Sequence, residues 1–334
     1  MLNKLRSFLK KAYKRTTYPI IYSYPSFLIY DSISRISAYK KERRRIQEII
    51  GYYPDLKNPK SFNEKILWKK IYDRNPLLPI IADKYKVRQY LKEVLGEKES
   101  EKILVPLLYV TDKPQNIPFD SLSGEYVIKP THASGKIILA ENIEGQKIYM
   151  IIKGKKPKII SGYKDPREEI IAICKNWLLK PYQFHQYEWA YQKTRRKILI
   201  EKLLLDSSRK FPIDYKFEVF YGKCELILVY YDRFVDINGA WYTPEWEYVN
   251  VRGLTKQAGY SKKPTNLKYM IDLAEFLGKP FDFIRVDLCL VDSQIYFGEL
   301  TNYPLGGTFQ FNPLSYDFEL GSKWKVVPGY WKHR

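Results

Sequence analysis

Residues 283–302 read as two strands joined by a tight turn, and no other stretch restricts the fold as closely. Ile284, Val286, Leu288 and Leu290 alternate on one side, and Tyr296 and Leu300 continue the pattern. The other face carries Arg285, Asp287, Glu299 and Thr301. With a three-residue loop of Asp292, Ser293 and Gln294, Val291 pairs with Ile295, so Asp287 falls opposite Glu299 and Arg285 opposite Thr301. Like charges facing each other across a strand pair are destabilising unless something cationic sits between them. Two converging carboxylates suit a hard divalent ion whose shell is completed by phosphate oxygens. A two-residue turn would instead put the acids on opposite faces, and no glycine in the loop fixes its length. On these residues alone, a metal-binding wall and a pair of solvated hairpin charges both stand as readings.

A chain of 334 residues can bury a sizeable core and points to two or three subdomains. Thirty tyrosines and an ordinary hydrophobic content mark it as folded rather than disordered. Cys174, Cys224 and Cys289 lack metal-ligand spacing, so neither a disulfide framework nor a zinc site is implied, which fits a reducing cytoplasm. With His132, His185 and His333 the only histidines, catalysis by a histidine triad is not expected.

The net charge is +20, and its placement matters more than its size. Residues 1–50 hold twelve basic residues against Asp31, Glu42 and Glu48. The first fifteen residues contain six of those cations and no acid, with Leu2, Leu5, Leu9, Ala12 and Tyr13 near helical spacing. Such a basic amphipathic helix either lies on an anionic membrane surface or docks its apolar stripe on the protein itself. No apolar signal-peptide region follows the basic start. Residues 18–30 are too short, and too broken by Pro19 and Pro25, to span a bilayer. The expectation is a cytoplasmic protein, peripheral to the inner membrane face through residues 1–45. No nucleic acid partner is expected, because the basic residues are not gathered into a known motif.

Along the chain, Ser61-Phe-Asn-Glu64 forms a capping-box pattern ahead of Ile66, Leu67 and Trp68. A second helix is predicted from Ala82-Asp83 through Val87, Tyr90 and Leu91 to a stop at Gly96. Residues 126–130 and 137–140 read as a strand and its return around a small-residue loop. Helices are predicted over 166–179 and 266–277, the latter closed by Gly278, and strands over 197–205, 215–221 and 225–231. Strands and helices without regular alternation indicate an α+β fold.

Four segments share a theme of phosphate and cation. Lys129 ends a strand before His132-Ala-Ser-Gly-Lys136, where small residues let backbone N–H groups approach phosphate oxygens. The apolar run 198–205 contains Glu201, which must face something polar or ionic. Asp214, Lys216 and Glu218 share one strand face, and Arg233 follows the returning strand. The hairpin 283–302 is the fourth. The aromatic residues Trp177, Tyr182, Tyr187, Trp189, Tyr191, Trp241, Tyr242, Trp246 and Tyr248 read either as sugar-stacking faces or as core.

In this order and spacing the segments resemble the ATP-grasp family, in its TupA-like branch associated with teichuronopeptide and capsular polysaccharide biosynthesis. The resemblance runs over residues 57–324 and rests on Ser61-Phe-Asn-Glu-Lys65, Ala82-Asp-Lys-Tyr-Lys-Val-Arg88, Tyr126-Val-Ile-Lys-Pro-Thr-His-Ala-Ser-Gly135, Ile198-Leu-Ile-Glu-Lys-Leu-Leu204, Asp214-Tyr-Lys-Phe-Glu-Val-Phe220, Arg285-Val-Asp287 and Phe297-Gly-Glu-Leu-Thr301. It implies an ATP-grasp fold in which two α+β subdomains clamp ATP behind a basic helical N-terminal extension. The corresponding division is an extension at 1–56, an N-terminal α/β subdomain at 57–125, a small subdomain with the phosphate loop at 126–200 and a large subdomain with the metal-binding hairpin at 201–325.

By resemblance, Lys129 binds the α and β phosphates of ATP and the loop with His132, Ser134 and Gly135 closes over them. Glu201 accepts the adenine amino group, the backbone around Leu203 completes that contact, and Asp206 is the candidate for the ribose. Lys216 approaches the transferred phosphate, Asp287 and Glu299 hold Mg2+, and Arg233 and Arg285 face the reacting centre. Where the family usually places an asparagine two residues after the second acid, this chain has Thr301, with Asn302 next, so either completes the metal ligands. With Lys129, Glu201 and Lys216 upstream in the expected order, the three-residue loop becomes the expected register. The implied activity is an ATP-dependent carboxylate–amine ligase that forms an amide through an acylphosphate, acting on a uronic acid or a peptide. The competing readings are a glycosyltransferase or kinase of the same pathway, and a non-enzymatic basic binding protein. A metal-dependent glycosyltransferase calls for an Asp-x-Asp near a strand end, and the sequence has none.

Overall fold

The computed structural model describes residues 24–153, 156–161, 165–231, 238–251, 256–257 and 262–333. The basic segment 1–23 and Arg233 therefore lie outside the described residues. The chain enters through α1 (Tyr24–Ile36), α2 (Lys40–Ile50), α3 (Phe62–Tyr72), α4 (Leu78–Ile81), α5 (Lys86–Leu95) and α6 (Glu97–Ile103). Among the described residues, no helix is long and apolar enough to cross a membrane.

A small sheet follows, built from β1 (Leu107–Thr111), β2 (Tyr126–Pro130), β3 (Ile138–Ile143), β4 (Gln146–Lys153), β5 (Lys156–Ile159) and β6 (Ile198–Lys202), in the order β1-β6-β2-β3-β4-β5. Strand alternation gives it two different faces. Tyr126, Ile128, Ile138, Ile198 and Ile200 pack on α7 (Pro166–Leu179) through Ile170, Cys174 and Trp177. On the other face Val127, Leu139 and Ile152 gather with Leu203 and Phe211. The expected division at 200/201 cuts through β6. That strand pairs with β1 on one side and β2 on the other, so residues 107–111 and 198–202 belong to one sheet.

The large sheet comprises β7 (Ile213–Phe220), β8 (Lys223–Tyr231), β9 (Asn238–Tyr242), β10 (Tyr248–Val249), β11 (Lys256–Gln257), β12 (Phe283–Val291) and β13 (Gln294–Thr301). Its order is β10-β9-β8-β7-β12-β13, with β11 parallel to β9. The short α8 (Trp189–Gln192), α9 (Leu267–Gly278) and α10 (Ser315–Ser322) complete the elements that concern the site. Core residues of α1 to α6 and of this sheet form one continuous cluster. Of the aromatic residues weighed as sugar-stacking faces, Trp177, Tyr187, Trp189, Trp241, Tyr242 and Trp246 are buried in core, whereas Tyr182 and Tyr191 are half-buried.

The hairpin turn differs from expectation. Val291 pairs with Gln294, which leaves a two-residue turn at Asp292 and Ser293. The pairing then shifts between Leu288↔Phe297 and Asp287↔Glu299, so Gly298 is an extra residue in β13. This bulge restores Asp287 opposite Glu299 and Arg285 opposite Thr301, the arrangement that the longer loop was invoked to produce. A Cβ on Gly298 would lie 3.1 Å from the Asp287 carbonyl oxygen, a close backbone approach that glycine permits.

Two helix ends also shift. α5 begins at Lys86, because the Asp83 carboxylate accepts the N–H groups of Tyr85 (2.9 Å) and Lys86 (3.2 Å) and turns the chain first. Gly278 lies inside α9, where its missing side chain admits Val219.

α3 has the predicted capping box and then an unusual interior. Lys69 and Lys70 are fully buried. Lys69 reaches Asp282 (2.6 Å) and Asp73 (2.9 Å), and Lys70 reaches Glu42 (3.1 Å) and the Gly306 carbonyl (2.7 Å). Asn63 binds Asp317 and both backbone groups of Phe309. α3 thus ties the segment after β13 to the entry helices. α10 crosses its start at Gly321, where a Cβ would fall 2.3 Å from the Lys60 carbonyl and 2.7 Å from the Phe62 nitrogen. Backbone cannot yield there as a flexible side chain would. Gly321→Ala is expected to cost about 3 kcal/mol of stability, read as a lower urea midpoint at unchanged slope; an unchanged midpoint would refute the close crossing.

Candidate active site

A cavity of ≈ 190 Å³ lies between the two sheets. The small sheet contributes Val127, Lys129, Leu139 and Glu201, and the large sheet contributes Lys216, Asp287, Phe297 and Glu299. Lys84 and Arg88, from the start of α5, close one side, and the loop with Ser134, Gly135 and Lys136 closes another.

On the large-sheet wall, Asp287 is buried between two cations. Arg285 Nε and Nη2 donate to its two oxygens at 2.6 and 2.7 Å, and Lys216 Nζ donates at 2.7 Å. Arg285 Nη2 also reaches Glu299 Oε1 at 3.4 Å and Thr301 Oγ1 at 3.0 Å, and the Thr301 hydroxyl donates to Glu299 at 2.6 Å. Lys84 lies 3.6 Å from the other Glu299 oxygen. Desolvation pushes the Glu299 carboxyl up, but Lys84, Arg285 and Lys216 hold it well below the usual carboxylate range. Burial alone would lower Arg285, yet the adjacent Asp287 drives it above its ordinary value, so the guanidinium stays charged. Glu218 is fully buried, and neither of its oxygens finds a hydrogen-bond partner. Burial pushes its carboxyl up to about 8 against the pull of Arg285.

Of the two groups expected after Glu299, only the Thr301 hydroxyl joins this cluster. Asn302 Nδ2 donates to the Leu78 carbonyl at 3.0 Å, because residue alternation turns its side chain toward α4. The donor set of Asp287, Glu299 and Thr301 is all oxygen. Among the described residues no group of three or more His, Cys, Asp or Glu could hold a metal. Two carboxylates at the wall of a cavity fit an ion that takes its other ligands from phosphate and water, as Mg2+ does.

On the small-sheet wall, Glu201 has the ionic partners its apolar strand demanded. Lys129 Nζ is paired with one carboxylate oxygen and Arg88 Nη1 donates to the other at 3.0 Å. Arg88 Nη2 also donates to the Val105 carbonyl at 2.8 Å, which fixes the guanidinium in place. Beyond Glu201 the wall becomes apolar at Leu203, Leu204 and Phe211. The Leu203 N–H is already used by the Glu125 carbonyl (3.0 Å), so Leu204 is the next backbone position free to face a ligand edge.

Two predicted ligand residues are absent from this wall. His132 is fully buried behind the loop, its Nε2 3.2 Å from the Lys180 carbonyl oxygen. Burial, reinforced by Arg196, lowers it to about 3, so it is a neutral structural pin. Asp206 Oδ1 accepts the N–H groups of Ser208 and Lys210 at 2.8 Å each and closes the turn between β6 and β7. Sequence reasoning assigned no role to Lys84, Arg88 or Lys136. The first two stand four residues apart in the quoted Ala82–Arg88 motif, and Lys136 directly follows the loop glycine. Arg233 lies outside the described residues.

The cavity thus has an apolar slot at one end and a carboxylate–cation wall at the other, held between two sheets. The TupA-like ATP-grasp family model matches residues 64–325, and the chain belongs to that family. Its fold is the α+β ATP-grasp fold, and it is an ATP-dependent ligase. No curated protein matches the sequence. Similar solved structures include D-alanine–D-alanine ligase from Bacillus anthracis, with 14% identity, 73% of this chain and 67% of that one covered, and a TM-score of 0.37. The Helicobacter pylori D-alanine–D-alanine ligase shares 14% identity over 73% of this chain and 60% of its own, at a TM-score of 0.36. A Chryseobacterium gregarium ATP-grasp ligase shares 8% identity over 78% and 64% respectively, at 0.34.

Arg88 holds the Glu201 carboxylate by a charge-assisted hydrogen bond. Arg88→Ala is expected to raise the KM for ATP about tenfold with a smaller effect on kcat, and Arg88→Lys to recover part of the loss; an ATP KM within twofold of wild type would show that Glu201 needs no such partner. His132 gives a pH prediction. Its folded value of about 3 lies below the unfolded 6.5, so the unfolded chain binds the extra proton and stability falls as pH drops below 6.5. His132→Gln should flatten that slope by up to about 1.4 kcal/mol per pH unit between pH 6 and 4, measured by urea unfolding across the range; parallel slopes for the two proteins would rule it out.

Proposed function

We propose that the enzyme joins the carboxylate of a uronic acid or peptide to an amine during assembly of a surface polysaccharide. One observation carries this reading. Asp287 and Glu299, with Arg285 and Lys216 between them, face Lys129 and the Ser134-Gly135 loop across a single cavity.

Adenine would lie in the slot of Leu139, Leu203 and Phe211, with its amino group on Glu201 and its edge against the Leu204 backbone. Lys129 and the N–H groups around Ser134 and Gly135 would hold the phosphates. Asp287 and Glu299, with Thr301 beside them, would hold Mg2+, which would supply charge neutralisation on the phosphate oxygens. Lys216 stands at the edge of that wall, where it can meet the transferred phosphoryl group. The substrate carboxylate would attack the γ-phosphorus, breaking its bond to ADP, which leaves, and forming an acylphosphate. The amine would then attack the carbonyl, give up a proton and expel phosphate, with Arg285 stabilising the oxyanion that develops. The loop 131–136 would cover the site and keep water from the activated carbonyl.

The entry helices support peripheral attachment to an anionic, cytoplasmic membrane face. Leu28, Ile29 and Ile36 are exposed on α1, next to exposed Arg35, Lys40, Lys41 and Arg44. The acids Asp31 and Glu42 are buried and paired with Arg35 and with Arg45 and Lys70.

The test supplies ATP, Mg2+, pooled uronic acids and pooled amines, and follows ADP and new masses. ADP is expected only when both pools are present. Lys129→Ala and Glu299→Ala should each lower turnover by at least about a hundredfold while leaving the thermal transition cooperative. Turnover that depends on neither an acid nor an amine would sink the ligase reading.

A further inference from the structure

The pairing of β2 with β6 fixes the two ends of the cavity. Val127 lies opposite Glu201 and Pro130 opposite Ile198, so the loop after β2 sits beside the start of β6, away from Leu203 and Leu204. Three bonds gather the chain at that far end. The Thr131 N–H donates to the Lys197 carbonyl at 2.9 Å, His132 meets the Lys180 carbonyl, and Arg196 Nη1 donates to the Leu178 carbonyl at 2.8 Å. The end of α7, the loop 131–136 and the start of β6 are thereby drawn together, and each brings a cation: Lys180, Lys136 and Arg196.

The charged groups that act on Lys136 are both positive, Lys180 and Arg196; burial and these two neighbours push its ammonium below the ordinary lysine value. Lys136 lines the cavity, and Lys180, an exposed residue, lies within electrostatic reach of it. Beside them Tyr182 and Tyr191 form an edge-to-face pair, with ring centroids 5.0 Å apart and planes at 74°. Tyr182 lies close to Ser134 of the loop, and both tyrosines lie within electrostatic reach of Glu299. They therefore stand where a substrate must reach a phosphoryl group held between the loop and the acidic wall. A concave site lined by cations concentrates anions, and half-buried rings offer a flat apolar surface with a polar edge to a sugar.

We infer that this end of the cavity is an acceptor subsite: Tyr182 and Tyr191 seat the ring of a sugar acid, and Lys136 and Lys180, with the buried Arg196 behind them, bind a second anionic group on it, beyond the carboxylate that reacts. The inference rests on the ligase reading and names its substrate class, a sugar acid carrying a phosphate or a further carboxylate.

Three acceptors separate the cases: glucuronic acid with one anionic group, glucuronic acid 1-phosphate with a phosphate, and digalacturonic acid with a second carboxylate. Lys180→Glu is expected to raise the KM of the acceptor about tenfold or more for at least one of the last two. For glucuronic acid and for ATP the change should stay under about twofold. The 1-phosphate and digalacturonate arms tell which anion is preferred. Calorimetric titration of the same acceptors into wild type and Lys180→Glu, with ADP and Mg2+ present, reads binding without turnover. A rise in the ATP KM instead would assign the cations to the nucleotide, and equal affinity for all three acceptors in both proteins would show solvated surface charge; either overturns the inference. Charge-dependent binding without ADP formation from any acid–amine pair would sustain the subsite and overturn the ligase reading alone.

Discussion

Asp287 and Glu299 face each other across two paired strands, and that juxtaposition is intolerable without cations. Two like charges opposite one another destabilise a strand pair, and burying either unpaired would cost several kcal/mol. Arg285 resolves the conflict from within the same strand, since it contacts both acids and Thr301. Lys216 arrives from β7 and Lys84 from the turn before α5, so three elements distant in sequence converge on one pair of carboxylates. The arrangement sets how the sheet, the entry helices and the cavity are joined. It also explains Glu218. With Arg285 and Lys216 already committed to Asp287, a third buried carboxylate has no cation left to it, and it stays protonated with its value near 8.

The wall needs support from behind, and α3 supplies it by an expensive route. A buried lysine is tolerated only when its charge is matched. Lys69 is matched by Asp73 and Asp282, and Asp282 also accepts the Trp324 indole N–H at 3.0 Å. Lys70 binds the Gly306 carbonyl, just beyond the end of β13. These contacts fix the exit of the strand that carries Glu299 and Thr301. Asp282 and Gly306 lie more than two hundred residues from α3 in sequence, so the site wall cannot settle until the two ends of the chain have met.

How much of this was legible depends on the range of the interaction. Local rules worked: the capping box at Ser61 and Glu64 and the stop at Gly96 follow from spacing alone. The demand that Glu201 face something polar or ionic followed from its apolar strand, but which groups those were did not, because Arg88 and Lys129 come from other elements. The hairpin was right in its facing residues and wrong in its cause. A turn length and a bulge are interchangeable in the arithmetic of register, and only the close approach of Gly298 to the Asp287 carbonyl distinguishes them. His132 and Asp206 were misread for one shared reason. A polar residue beside a binding loop has the same sequence signature whether it points at a ligand or holds the loop's own backbone, and both spend their hydrogen bonds on backbone.

That distinction bears on how the carboxylate–cation wall opened by the hairpin reaches its substrates. The cavity is held by bonds that cross between units: Arg88 to Glu201 links the entry helices to the small sheet, and Lys84 to Glu299 links them to the large one. Both cations come from the first turn of one short helix and the loop ahead of it. A displacement of α5 therefore acts on the Glu201 end and the Glu299 end of the cavity together. If the small sheet closes over bound nucleotide, as a loop of small residues at 133–135 permits, the Arg88–Glu201 and Lys84–Glu299 contacts are the ones that must move in concert.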